Sequence, residues 1–101
     1  MTIYNVTVRV DPAIATEWLQ WQLEKHIPAI MGSGLFADFR FFRLLEQDDE
    51  EGITYVTQFH CKGLEDYQRY LREFAPRLRQ EAFDKWGDRF IAFRTVMEAV
   101  H

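Results

Sequence analysis

The sequence predicts an α+β domain, and three observations carry the prediction. Stretches with a two-residue apolar alternation and stretches with a three-to-four-residue apolar repeat follow one another as strand, helix, strand, strand, helix, strand. Turn and cap residues stand between them at Asp11-Pro12, Gly32-Ser33-Gly34, Gly52, Gly63 and Gly87. The 101 residues are also 48% hydrophobic and 16% aromatic, a heavy load for a chain that can bury only about 60 to 65% of its unfolded surface alone. Part of that load is therefore expected in a subunit interface.

Residues 3–10 alternate, with Tyr4, Val6, Val8 and Val10 on one face and Ile3, Asn5, Thr7 and Arg9 on the other, as in a half-buried strand. Asp11-Pro12 ends it and starts a helix, an acceptor at the cap followed by a proline whose missing N–H costs nothing there. That helix runs to Met31. At about 100° per residue, Ile14, Trp18 and Trp21 form one edge of an apolar arc, Leu19, Leu23, Ile27 and Ile30 the other, and Ala15, Gln22 and His26 lie between. His26 therefore points inward, where an imidazole must find a partner or lose its charge. Pro28 removes the bond back to Glu24, so a kink or frayed turn is expected just after His26. Gly32-Ser33-Gly34 stops the helix.

Residues 35–45 read as a second strand with Phe36, Phe39, Phe41 and Phe42, and residues 53–61 as a third. The acidic segment 46–51, closed by Gly52, is a solvated hairpin loop. Gly63 opens a second helix with Leu64, Tyr67, Tyr70, Leu71, Phe74, Leu78, Ala82 and Trp86 at helical spacing, Pro76 marking a bend and Gly87 the stop. Residues 90–100 form a last strand. No repeat, linker or low-complexity segment interrupts residues 1–101, which are read as one domain.

Two right-handed crossovers joined by a hairpin make the ferredoxin-like βαββαβ arrangement, a four-stranded antiparallel sheet with two helices on one face. The alternation assigns Tyr4, Val6, Val8, Phe39, Phe41, Tyr55, Phe59, Ile91, Phe93 and Met97 to the helix side. The open side then takes Ile3, Asn5, Thr7, Phe36, Arg40, Phe42, Val56, Gln58, His60, Phe90, Arg94 and Val96. Burying even about 400 Å² of apolar area there contributes roughly 10 kcal/mol before association entropy and polar desolvation are subtracted. A homodimer joined through the open sheet face is the expected solution.

Several segments resemble a known family: Ile-Tyr-Asn-Val-Thr-Val from Ile3, Glu17-Trp18-Leu19-x-Trp21, His26-Ile-Pro28-x-x-Met31, Gly34-Leu-Phe36, Gly52-Ile-Thr-Tyr55 and Ala92-Phe-Arg94-Thr. They are similar to the small bacterial proteins grouped as domain of unknown function 4286, over essentially the whole chain. The resemblance implies a dimeric α+β barrel, the superfamily that also holds antibiotic-biosynthesis monooxygenases, muconolactone isomerases, haem-degrading enzymes and sugar mutarotases. It implies no particular activity, because the relatives share a fold and differ in chemistry.

Composition removes other classes. A net charge of −4, with the basic residues dispersed, argues against nucleic acid as a partner. A single cysteine excludes an internal disulfide and fits a reducing compartment. The absence of a signal-like start or a membrane-length apolar run makes a cytoplasmic protein with no membrane partner the expectation. Gly32-Ser33-Gly34 stands after a helix instead of before one, the acidic loop lacks the ligand pattern of a calcium loop, and no cysteine or histidine pair has zinc spacing. No cofactor or metal is expected.

His26 is the leading chemical candidate, a proton shuttle at the mouth of a helix-to-sheet pocket, with a satisfied core histidine as the plainer alternative. Asn5, Arg40, Gln58 and Arg94 are polar groups on the face assigned to dimerisation, either a structural network across the two-fold, with acceptors such as Asp38 and Glu98, or a ligand site. Arg40 or Arg94 would stabilise an oxyanion in the catalytic version. Trp18 and Trp21, with Trp86, either wall a pocket for an aromatic ligand or simply fill the core. His60 is expected solvated at the sheet's end, and Cys61, beside Lys62, is a weak candidate for a lowered pKa. The reading is a soluble homodimeric α+β barrel that binds a small apolar or aromatic molecule between helices and sheet. The alternatives are a non-catalytic dimerisation or protein-interaction module and a cofactor-independent monooxygenase- or isomerase-like enzyme using His26.

Overall fold

In the computed structural model, which describes residues 1–101, strands β1 (Thr2–Val10), β2 (Asp38–Arg43), β3 (Ile53–Cys61) and β4 (Phe90–Glu98) form one antiparallel sheet in the order β2-β3-β1-β4. The first helical segment begins with a 3₁₀ turn at Pro12–Ile14. It continues as α1 (Ala15–Trp21), a π-helical turn at Gln22–His26, and α2 (Ile27–Met31). The second comprises α3 (Leu64–Glu73) and α4 (Ala75–Trp86). This is the ferredoxin-like βαββαβ order, with the helices on one side of the sheet.

The start of the first helix follows the sequence expectation. The Asp11 carboxylate accepts from the Ala13 N–H at 2.9 Å and pairs with Arg89 at 2.9 Å, tying the helix start to the approach of β4. The disturbance around Pro28 takes the form of the wide turn that ends on His26, closed by the Ile27 N–H bonding to the Gln22 carbonyl. A proline ring collides with the carbonyl four residues back in a regular α-helix, and widening the preceding turn relieves that collision. The extra residue in that turn shifts the phase of the arc, which leaves Leu23 on the surface, 53% exposed, instead of in the core.

The second helix is two helices. They meet at Phe74, whose φ of −124° breaks the helical path ahead of Pro76. Gly87 ends α4 at φ +60° and ψ −130°, as expected of the stop.

The register overturns part of the face assignment. Val10, Val8 and Val6 pair with Phe90, Ala92 and Arg94, so these residues and Val96 lie on the helix side, while Ile91, Phe93 and Met97 lie on the open side. The run Phe90-Ile-Ala-Phe93 has no alternation that could set its parity. The small residue faces inward because the interior opposite it is open, as described below. Phe36 is also corrected: β2 starts only at Asp38, and Phe36 packs in the core against Tyr4, Phe59 and Tyr70. Arg40, Asn5 and Gln58 do lie on the open side, Gln58 opposite both of the others.

The core is divided. One cluster gathers Tyr4, Ile27, Ile30, Phe36, Phe59, Cys61, Tyr70, Ala75 and Leu78; the other gathers Val8, Val10, Ala15, Trp18, Tyr55 and Trp86. Val6, at the middle of β1, touches both. A gap between two packed clusters on the helix side of a sheet is where a ligand can enter.

Candidate ligand-binding cleft

Between the two clusters runs a narrow cleft of about 40 Å³. Trp18, Phe59, Leu78 and Phe90 supply apolar wall, and Gln22, His26, Thr57, Tyr70, Arg79 and Arg94 bring polar groups to it. Ala82 on α4 and Ala92 on β4 leave room where larger residues would close it.

His26 is placed by the π-helical turn, a local geometry common at functional sites. Its ring stacks on Trp21 with centroids 4.7 Å apart and planes 22° apart, and Trp21 in turn meets Trp86 edge-on at 5.9 Å. Burial lowers its pKa from the ordinary 6.5 to about 4, and the Arg94 guanidinium adds to the effect. The imidazole is therefore neutral at pH 7, with one nitrogen to donate and one to accept. Tyr70 is also changed by burial, which raises its pKa far above the ordinary phenol range and keeps it protonated.

Arg79 reaches the cleft from α4. One of its terminal nitrogens, Nη2, donates to the Tyr4 hydroxyl at 3.1 Å, while its buried Nε has no acceptor. Arg94 reaches it from β4 at an exposed position.

The sequence candidates therefore divide into two groups. His26, Arg94 and Trp18 line the cleft, and Trp21 braces the His26 ring from behind. Trp18 is 2% exposed and stacks on Tyr55 at 5.3 Å, so it is wall and core at once. Asn5, Arg40 and Gln58 lie across the sheet from His26 and cannot reach it within one subunit. The acceptor expected for Arg40 is committed elsewhere: Asp38 pairs with His60, whose side chain is only 12% exposed and so is not the solvated residue expected. Cys61 is buried, and burial raises its thiol pKa instead of lowering it. Its sulfur bonds to the carbonyls of Gly63 and Thr2.

Arg79 is the site residue that apolar periodicity passes over, and Tyr70, on the apolar stripe, reads from the sequence as core alone. Ala75, Leu78, Ala82 and Trp86 mark the buried stripe of α4, and Arg79, four after Ala75 and three before Ala82, flanks it. That spacing is a signal in the sequence, although a polar residue at a stripe's edge reads first as surface.

A helix-roofed antiparallel sheet with a cleft under the roof defines a ferredoxin-like α+β protein. Residues 1–100 match the family described as a domain of unknown function, DUF4286, and the chain belongs to that family. The comparison with curated proteins finds no match. Among solved structures, the chain is similar to a dimeric ferredoxin-like protein from an uncultured marine organism, at 13% identity and a TM-score of 0.74, covering 99% of this chain and 95% of that one. It is also similar to an EthD family protein from Bacillus halodurans, at 12% identity and a TM-score of 0.72, covering 99% and 100%. A third is SnoaB, a cofactor-independent oxygenase from Streptomyces nogalater, at 11% identity and a TM-score of 0.63, covering 99% and 94%. At these identities the likeness is one of fold. No helix is long and apolar enough to cross a membrane.

Proposed function

We propose that this chain is a cytoplasmic homodimer that binds a small apolar or aromatic molecule in the cleft beside His26. The observation that carries the reading is the divided core. A chain with this much apolar side chain leaves a gap under its helices, and it brings a neutral imidazole, an amide and two guanidiniums to that gap. Dimerisation is supported by the open sheet face, where Phe93, Ile91 and Phe42 are 64%, 56% and 46% exposed. A marine protein of similar fold is described as dimeric. On this reading Asn5, Arg40 and Gln58 belong to the interface and satisfy one another across the two-fold.

The test is a metabolite screen read by melting temperature. Hits should stabilise the wild-type chain, and His26→Ala should shrink their shifts while the free variant stays folded. Unchanged shifts for every hit would remove His26 from the site.

A catalytic version is the second reading, favoured by the placement of Arg94 on the same side of the sheet as His26. A neutral imidazole accepts a proton, and the nearby guanidinium stabilises the charge that develops, a cofactor-independent chemistry of the isomerase or oxygenase type. Hits incubated in heavy water should exchange an acidic C–H with the wild type and not with His26→Ala; equal exchange in both leaves binding as the function.

A further inference from the structure

The cleft's charge is one-sided. None of its lining residues is an aspartate or a glutamate, and neither of its two arginines takes part in any of the chain's ion pairs. Arg79 is further short of partners, since its Nε is shut away from water with nothing to donate to. Elsewhere Arg9, Arg43, Arg69, Arg77 and Arg89 each meet a carboxylate, while Arg40 and Arg72 do not. A guanidinium withdrawn into an apolar setting is costly until an acceptor arrives, and its fork of N–H donors matches a carboxylate's two oxygens.

The aromatic surroundings set the rest of the ligand. Phe90 presents half-buried aromatic surface to a narrow cleft bounded by sheet below and helix above, with the buried rings of Trp18 and Phe59 backing its walls, a setting that suits a planar ring better than a flexible polar chain. No glycine-rich turn contributes backbone N–H groups, so the site offers guanidinium forks and no phosphate cradle.

We infer that the molecule bound in the cleft is a small ring-bearing organic monoanion, an aromatic or cyclic carboxylate, with Arg79 and Arg94 taking its charge. This rests on the cleft being a binding site, as proposed above, and adds the sign and class of the ligand. The polar lining then has a division of labour. Arg79 and Arg94 answer the carboxylate, and His26 and Gln22 are left for a ring substituent that can donate or accept.

The experiment uses the full chain and probes matched in shape, one charged and one neutral: benzoate, salicylate and 2-naphthoate against their amides, titrated while the tryptophan indole resonances are followed by NMR. At least one carboxylate should bind about tenfold or more tighter than its own amide. Arg94→Gln, at an exposed position, should bring that ratio to about one, chiefly through loss of carboxylate affinity. Arg79→Gln should do likewise, and Arg79→Lys, which keeps the charge but not the fork, should retain part of the preference. Equal binding of carboxylates and amides overturns the anion inference and leaves the cleft as a neutral site. A preference that survives both glutamine variants places the charge recognition elsewhere and overturns it too. If no probe of either kind perturbs the indoles, the cleft reading itself falls, and the inference with it.

Discussion

At His26 the folded chain should carry a measurable acid sensitivity. The folded pKa of about 4 lies below the ordinary 6.5, so the unfolded chain binds the proton more readily. The contribution is fully present above pH 6.5 and is lost as the pH falls toward 4, up to about 3 kcal/mol in all. Denaturant unfolding of the wild type and His26→Gln from pH 7 to pH 4 should show their stability difference changing by that order, and parallel pH profiles would refute it. Cys61 makes a second residue-level prediction. Buried and with its thiol pKa raised, it should react with an aromatic disulfide reagent orders of magnitude more slowly in the native state than after unfolding. Fast native labelling would mean that the Gly63 end of β3 opens readily. His26 is legible in the sequence because helical phase alone turns it inward. Its sharing of a cleft with Arg94 is not, because that depends on the register of a strand sixty-odd residues away.

Elements differ in how much of themselves they disclose. β1 and β3 alternate cleanly and fall on the expected faces, since one side of each is polar enough to mark the parity. β4 begins with four consecutive apolar residues, and for such a run the larger side chains are the natural choice for the core. The molecule does the reverse, turning Ile91 and Phe93 outward and setting Ala92 over the cleft. The difference lies in the interior opposite, which is a cleft and not a filled core, so the rule that bulk goes inside does not hold there. The second helical segment misleads in a smaller way, because Pro76 sits just inside α4 and the break it accompanies comes at Phe74. Glycine substitutions test the boundaries. At Gly87 the backbone has φ +60° and ψ −130°, and an added Cβ meets no neighbour, so Gly87→Ala should cost about 1 to 3 kcal/mol from backbone strain alone. Gly63 opens α3 in an extended conformation with equal space around it, and Gly63→Ala should change stability by less than about 0.5 kcal/mol. Similar losses at both positions, by chemical denaturation, would put the cause in something other than the left-handed turn.

On the scale of the whole molecule, the inverted β4 exchanges the apolar residues of the open face without removing them: Ile91, Phe93 and Met97 stand where Phe36, Phe90 and Val96 were expected. Ile91, Phe93 and Met97 join Ile3, Phe42 and Val56 on it, interleaved with polar residues that include Asn5, Thr7, Arg40, Gln58 and Thr95, and Phe93, Ile91 and Phe42 stay well exposed in the single subunit. A specific interface buries roughly 800 Å² from each partner, and one face of a four-stranded sheet is of that order. Light scattering at micromolar concentration should therefore give twice the 12.1 kDa chain mass. Phe93 and Phe42 lie on strands at opposite edges of the sheet, so a contact that spans the face must cover both. A carboxylate buried there without a partner is strongly destabilising to association and harmless to a surface that is already exposed in the single subunit. Phe93→Glu and Phe42→Glu should each shift the mass toward 12.1 kDa at unchanged helical circular dichroism. If only Phe93→Glu does so, the partners meet along the β4 edge instead of face to face, and the polar cluster around Arg40 faces water. The exposed position of Arg94 links this assembly to the cleft: a partner lying along β4 would cover its mouth, and a variant that separates the subunits would then weaken carboxylate binding without touching a cleft residue.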